Sequence, residues 1–125
     1  MSGKRYRFVP PGGGRNYDWT RDHTFVKVAA ADSGGAYALM EDNLKREFAL
    51  GLHLHRQHAE AFYILDGPVN FHIDGDWMAA APGACVHIPP GVPHARSASR
   101  RYRTLSDDLS AGRLRSIYRG ACGVE

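Results

Sequence analysis

In the stretch Gly51-Leu-His53-Leu-His55-Arg-Gln-His58-Ala-Glu60-Ala-Phe-Tyr-Ile-Leu-Asp-Gly67, two histidines two residues apart precede a glutamate, and a second stretch, Gly83-Ala-Cys-Val-His-Ile-Pro89-Pro-Gly91-Val-Pro-His94, ends in another histidine. On an extended strand, His53 and His55 leave by the same face. A lone His-x-His recurs by chance on many surface strands. Its conjunction with a following carboxylate and a Gly/Pro-punctuated segment ending in His94 is far more specific. Imidazole nitrogens with one carboxylate suit a divalent transition ion, so His53, His55, Glu60 and His94 are the candidate metal ligands.

Outward from these segments, short strand-like runs alternate with turn residues. Runs at 24–30 and 36–44 flank the turn Asp32-Ser-Gly-Gly35, and 48–55 carries the first two candidate ligands. Residues 60–65 end at Asp66-Gly67-Pro68. Val69, Phe71 and Ile73 then alternate with Asn70 and His72, the period of a half-buried strand. Asp74-Gly75 is a hairpin signal, and 77–80, 84–88, 93–97 and 102–106 complete the strand set. Helical periodicity is poor, and only 109–118 has room for a turn or two of helix. Many short strands with Gly/Pro turns predict an all-β sandwich or barrel. The pattern alone leaves immunoglobulin-like, lipocalin-like and jelly-roll topologies open.

Residues 53–94 resemble the two signature motifs of the cupin superfamily. His53, His55, Glu60 and Gly67 match the first motif; Gly83, Pro89, Gly91 and His94 match the second. The family usually has Gly where this chain has Glu47, and Asn where it has Ala98. Thr24-Phe-Val-Lys-Val, Gly34-Gly-Ala-Tyr and Glu60-Ala-Phe-Tyr-Ile-Leu-Asp-Gly67 are similar to small single-domain cupins of the quercetin-dioxygenase-like type, and the resemblance spans roughly 6–106. It implies a double-stranded β-helix, that is, a jelly-roll β-barrel of two antiparallel sheets. It also implies a homodimer. The outward set Ala61, Tyr63 and Leu65 is apolar enough to need cover.

At 125 residues one domain is expected, with an N-terminal arm over 1–23, the barrel over 24–106 and a C-terminal tail over 107–125. A net charge of +3, with arginines at 96, 100, 101 and 103 but only Tyr102 among them, argues against nucleic-acid binding. No run approaches the roughly 20 apolar residues that span a bilayer, and the basic start lacks the apolar stretch of a secretory signal. Cys85 and Cys122 form no framework and read as free thiols of a reducing cytoplasm.

Face parity extends the site. Phe62 and Ile64 share the inward face of Glu60 and, with Phe71, are the expected pocket residues. Arg96 shares the face of His94, where it would hold a carboxylate or enolate oxygen; the competing reading has it reaching out to water. Glu60 and Arg96 are therefore the expected catalytic pair. His58 is expected in an exposed turn, with an alternative role as ligand or proton shuttle. His72 is expected to face outward and Cys85 to be a small buried hydrophobe. The expected function is a metal-dependent, dioxygenase-like enzyme using one iron, nickel, manganese or zinc ion per chain on a small chelating oxygenated substrate. A non-redox isomerase, cyclase or lyase and a non-catalytic small-molecule binder are the alternatives.

Overall fold

The computed structural model describes residues 4–109. In these, β1 (Arg15–Asp18), β2 (Asp22–Val28), β3 (Tyr37–Leu44), β10 (Tyr102–Leu109), β5 (Ala59–Ile64) and β8 (Cys85–Ile88) lie in that order in a six-stranded sheet. A four-stranded sheet has the order β4 (Phe48–His53), β9 (His94–Ala98), β6 (Val69–Ile73) and β7 (Asp76–Ala80). All the strand pairs are antiparallel. The fold is the all-β jelly roll that the resemblance implied. No helix among the described residues is long and apolar enough to cross a membrane.

Period-two alternation decides what enters the space between the sheets. β3 buries Ala38, Met40, Asp42 and Leu44, β10 buries Thr104, Ser106 and Asp108, and β5 buries Glu60, Phe62 and Ile64. The interior is consequently divided. Leu44, Phe48, Phe62, Ile64, Val69, Phe71 and Ile88 form one apolar cluster, each side chain contributing roughly 1.5–3 kcal/mol by leaving water. Further along the same strands, Glu60, His94 and Asp108 are equally buried but polar.

Two turns set the registers. Asp74 (φ 51°) and Gly75 (φ 90°) join β6 to β7 with both residues left-handed, the geometry that suits a two-residue hairpin. Glu47, where the family usually has glycine, also sits at φ 59°. That conformation costs a residue with a Cβ roughly 1–2 kcal/mol. Arg21 Nη1 donates to the Glu47 carbonyl at 2.8 Å and tethers the turn to the loop before β2.

Three boundaries differ from the sequence reading. β1 and the start of β2 lie within 1–23, and β10 runs on to Leu109. Ser106, Asp107 and Asp108 look like a polar exit from the strand, yet Ser106 and Asp108 keep its inward period and are buried. β4 ends at His53, so His55 stands in the loop beyond it. The possible helix over 109–118 falls almost wholly outside the described residues, as does Cys122.

Replacing Glu47 by glycine relieves the left-handed strain at the expense of backbone entropy, and should stabilise the fold by about 0.5–1 kcal/mol. Urea unfolding midpoints of Glu47→Gly and the parent protein measure this; a lower midpoint for the variant would contradict it.

Candidate metal centre

His53 closes β4, opposite His94 at the start of β9. Between Leu50 and His53 the β4–β9 register shifts, and the chain then leaves the sheet to present His55. The His55 loop is held by the second motif: Gly91 N–H donates to the His55 carbonyl at 2.7 Å. Asp74 N–H donates to the Pro93 carbonyl at 2.9 Å, fixing the backbone just before His94. Glu60 comes from β5 on the facing sheet. One ligand atom from each of His53, His55, Glu60 and His94 lies within 4.8 Å of all the others. The structure thus brings together the four residues singled out from sequence.

The hydrogen bonding tests whether this quartet suits a cation. His53 Nδ1–H donates to the Gly51 carbonyl at 2.7 Å, and His94 Nδ1–H donates to the Val92 carbonyl at 2.9 Å. With Nδ1 protonated, a neutral ring turns an Nε2 lone pair inward, the tautomer that a metal requires. His94 Nε2 nevertheless sits 3.0 Å from Glu60 Oε1, and His55 Nε2 sits 3.3 Å from the same oxygen. A lone pair facing a carboxylate oxygen needs a proton or a cation between them, and one divalent ion would serve all four groups. The donor set fits a transition ion.

Electrostatics agree. Burial pushes the Glu60 carboxyl up, but the imidazoles of His55 and His94 against it prevail and hold it well below the usual carboxylate range. Burial lowers the pKa of His53 and so favours its neutral ligand form, with some help from His94 and His55 and against the Gly51 carbonyl bond.

Phe62 lines a cavity of about 920 Å³ that reaches Glu60 and Arg96, whereas Ile64 and Phe71 lie in the apolar cluster behind it. Arg96 is only 9% exposed. Its guanidinium lies 5.0 Å from the Phe48 ring centre and 4.8 Å from that of Phe62, so it does not extend into solvent.

His58 is not an exposed turn residue. It is 4% exposed and stacks on His55 with ring centres 4.4 Å apart. With Glu60 and Asp108 it forms a second buried group of potential ligands that shares Glu60 with the first. The turn folds inward because Ala59 and Glu60 must enter β5 immediately afterwards. Cys85 is exposed rather than buried, because β8 is an edge strand of its sheet. Asp42 and Asp108 were missed by sequence reading, although β3 alternation through Ala38, Met40 and Leu44 places Asp42 inward.

The jelly roll thus gathers three histidines and a glutamate into one group that could hold a metal ion. Residues 44–99 match the family model described as Cupin domain, a match that supports a small cupin-type protein. Quercetin 2,3-dioxygenase of Bacillus subtilis (strain 168) is 28% identical over 108 residues, which cover 86% of this chain and 32% of that protein. The chain therefore spans about a third of the curated relative's length. Among solved structures, KdgF from a Halomonas species superposes with a TM-score of 0.73 at 16% identity, covering 86% of this chain and 96% of its own. An RmlC-like cupin from Shewanella frigidimarina NCIMB 400 gives 0.74 at 15% identity, covering 86% and 93%. At those identities the likeness is one of fold.

Calorimetric titration of EDTA-stripped protein with nickel(II) separates ligands from neighbours. His94→Ala should weaken binding at least about hundredfold, whereas His58→Ala, which removes a stacked ring, should stay within about tenfold. The opposite order would place His58 among the ligands.

Proposed function

We propose that this chain is a metal-dependent cupin enzyme of oxygenase type, acting on a small acidic substrate with neighbouring, chelating oxygens. The observation that carries the reading is the Arg96 guanidinium. It is buried on the cavity that reaches Glu60, and Nη1 has no hydrogen-bond partner among the described residues. A buried, half-satisfied cation calls for an anionic ligand.

His53, His55, Glu60 and His94 would hold one divalent ion per chain. Bound there, iron, nickel or manganese would supply Lewis acidity and a route for dioxygen, and zinc the Lewis acidity alone. The remaining work belongs to the chain itself. Arg96 orients an enolate or carboxylate oxygen through its planar fork. Phe48 and Phe62 hold that fork between their faces and keep water from it. Ile64 and Phe71 support the wall behind Phe62 through core packing.

The B. subtilis relative supports the oxygenase form of this reading. The non-redox form, an isomerase, cyclase or lyase, is favoured by a different observation: the carboxyl of Asp42, on the same cavity, can titrate near neutrality. A homodimer belongs to the same proposal, since Tyr63, Leu52 and Trp77 are exposed. A cytoplasmic setting does as well, in keeping with the free thiol of Cys85.

The test is dioxygen uptake by the metal-loaded protein with quercetin as probe, in air and anaerobically, with light scattering on the same sample. Turnover should stop without dioxygen, and Arg96→Met should lower kcat/KM by about 10- to 100-fold. Anaerobic turnover would select the non-redox reading. Quercetin binding without turnover, surviving both metal removal and Glu60→Ala, would select a non-catalytic binder. A monomer at micromolar concentration would refute the dimer.

A further inference from the structure

Asp42 lies on β3, inside the barrel and 5% exposed. Asp22 on β2 lines the same cavity, and its carboxyl helps to raise the Asp42 pKa. Thr24 Oγ1–H, also on β2, donates to Asp42 Oδ1 at 3.2 Å. From β9, Arg96 Nη2 stands 3.8 Å from Asp42 Oδ2, which is too long for a hydrogen bond. β10 presents Ser106 and β5 presents Glu60 to the same cavity. A second carboxyl beside the buried Asp42 disfavours its charged form. Arg96 therefore has a loose counter-ion on one side and no hydrogen-bond partner at Nη1.

We infer that Arg96, Asp42 and Asp22 form a proton-coupled subsite for a carboxylate or similar monoanion, in which ligand binding to Arg96 is accompanied by protonation of Asp42. When Asp42 carries a proton, the guanidinium charge is free to attract an anion. When Asp42 is ionised, it neutralises Arg96 and repels the anion. Burial first, then the neighbouring Asp22 carboxyl, raise the Asp42 pKa to about 7 against the pull of Arg96, so the exchange falls near neutral pH. A bound anion raises it further, and one proton enters with the ligand. Affinity is thus full below pH 7 and declines above it.

The inference rests on the reading of Arg96 as substrate anchor, and calorimetry with benzoate as probe separates the two. The protein as purified is titrated at pH 6 and pH 8, in buffers of different ionisation heat. Benzoate stays ionised throughout. Binding should weaken about tenfold from pH 6 to pH 8, with proton uptake approaching one per benzoate at pH 8. Asp42→Asn should bind equally at both values without uptake. Asp22→Asn, which leaves Asp42 in place, should move the weakening to lower pH, and it serves should Asp42→Asn fail to fold. Equal wild-type affinity at the two pH values, or a pH dependence that survives Asp42→Asn or is unmoved by Asp22→Asn, overturns the proton coupling and leaves the anchor standing. No binding at either pH, or binding indifferent to Arg96→Met, overturns the anchor and the coupling together.

Discussion

The Glu60 carboxylate is 4% exposed in the interior of a β-barrel, and much of the remaining architecture answers to that burial. An ionised carboxylate out of water costs several kcal/mol unless countercharge and hydrogen bonds surround it. Here the compensation arrives from distant parts of the chain: His55 from the loop after β4, and His94 from the head of β9. Both approach the same oxygen, Oε1. The backbone carbonyls of Gly51 and Val92 take the outer protons of His53 and His94, so the inward nitrogens face the carboxylate as bases. Such a centre is incomplete without a positive ion or proton at its middle, and that requirement gives the cluster its chemical character.

Placing this centre off to one side gives the barrel two unlike ends. The apolar cluster around Ile64, Val69 and Phe71 provides the packing. It leaves the other end free to hold polar groups that contribute little to packing and must satisfy one another. Phe62 stands at the boundary: its ring touches the core at Phe71, with centres 5.5 Å apart, and also faces the Arg96 guanidinium. A single side chain thereby couples the rigid part of the fold to the orientation of the candidate substrate anchor. The same strands that build the core thus aim the polar groups, which is why the site needs no additional domain.

The candidate ligand quartet and the division into short strands were legible in the chain because both rest on local periodicity. His53-x-His55, Glu60 and His94 lie at recognisable spacings, and alternation around Val69, Phe71 and Ile73 marks a half-buried strand whatever its partners. Parity also put Phe62 on the same inward face as Glu60, and both are buried. It could not separate Phe62 from Ile64 and Phe71 as cavity wall against core, because all three point inward and only their height in the barrel differs.

What local pattern could not convey was pairing across the sheets. His58 looks like an exposed turn residue until the loop is folded beneath β5. Asp108 looks like the start of a tail until β10 is seen to continue between β3 and β5. Asp42 becomes chemically notable only because β2 brings Asp22 to it and β9 sends Arg96 across the interior. By itself the sequence determined the strand-rich class and the donor atoms of the centre, since backbone alternation and residue chemistry are properties of neighbours along the chain. The tertiary structure alone decided which charges meet, because burial and distance between strands far apart in sequence depend on register, and register is settled by the whole barrel closing at once.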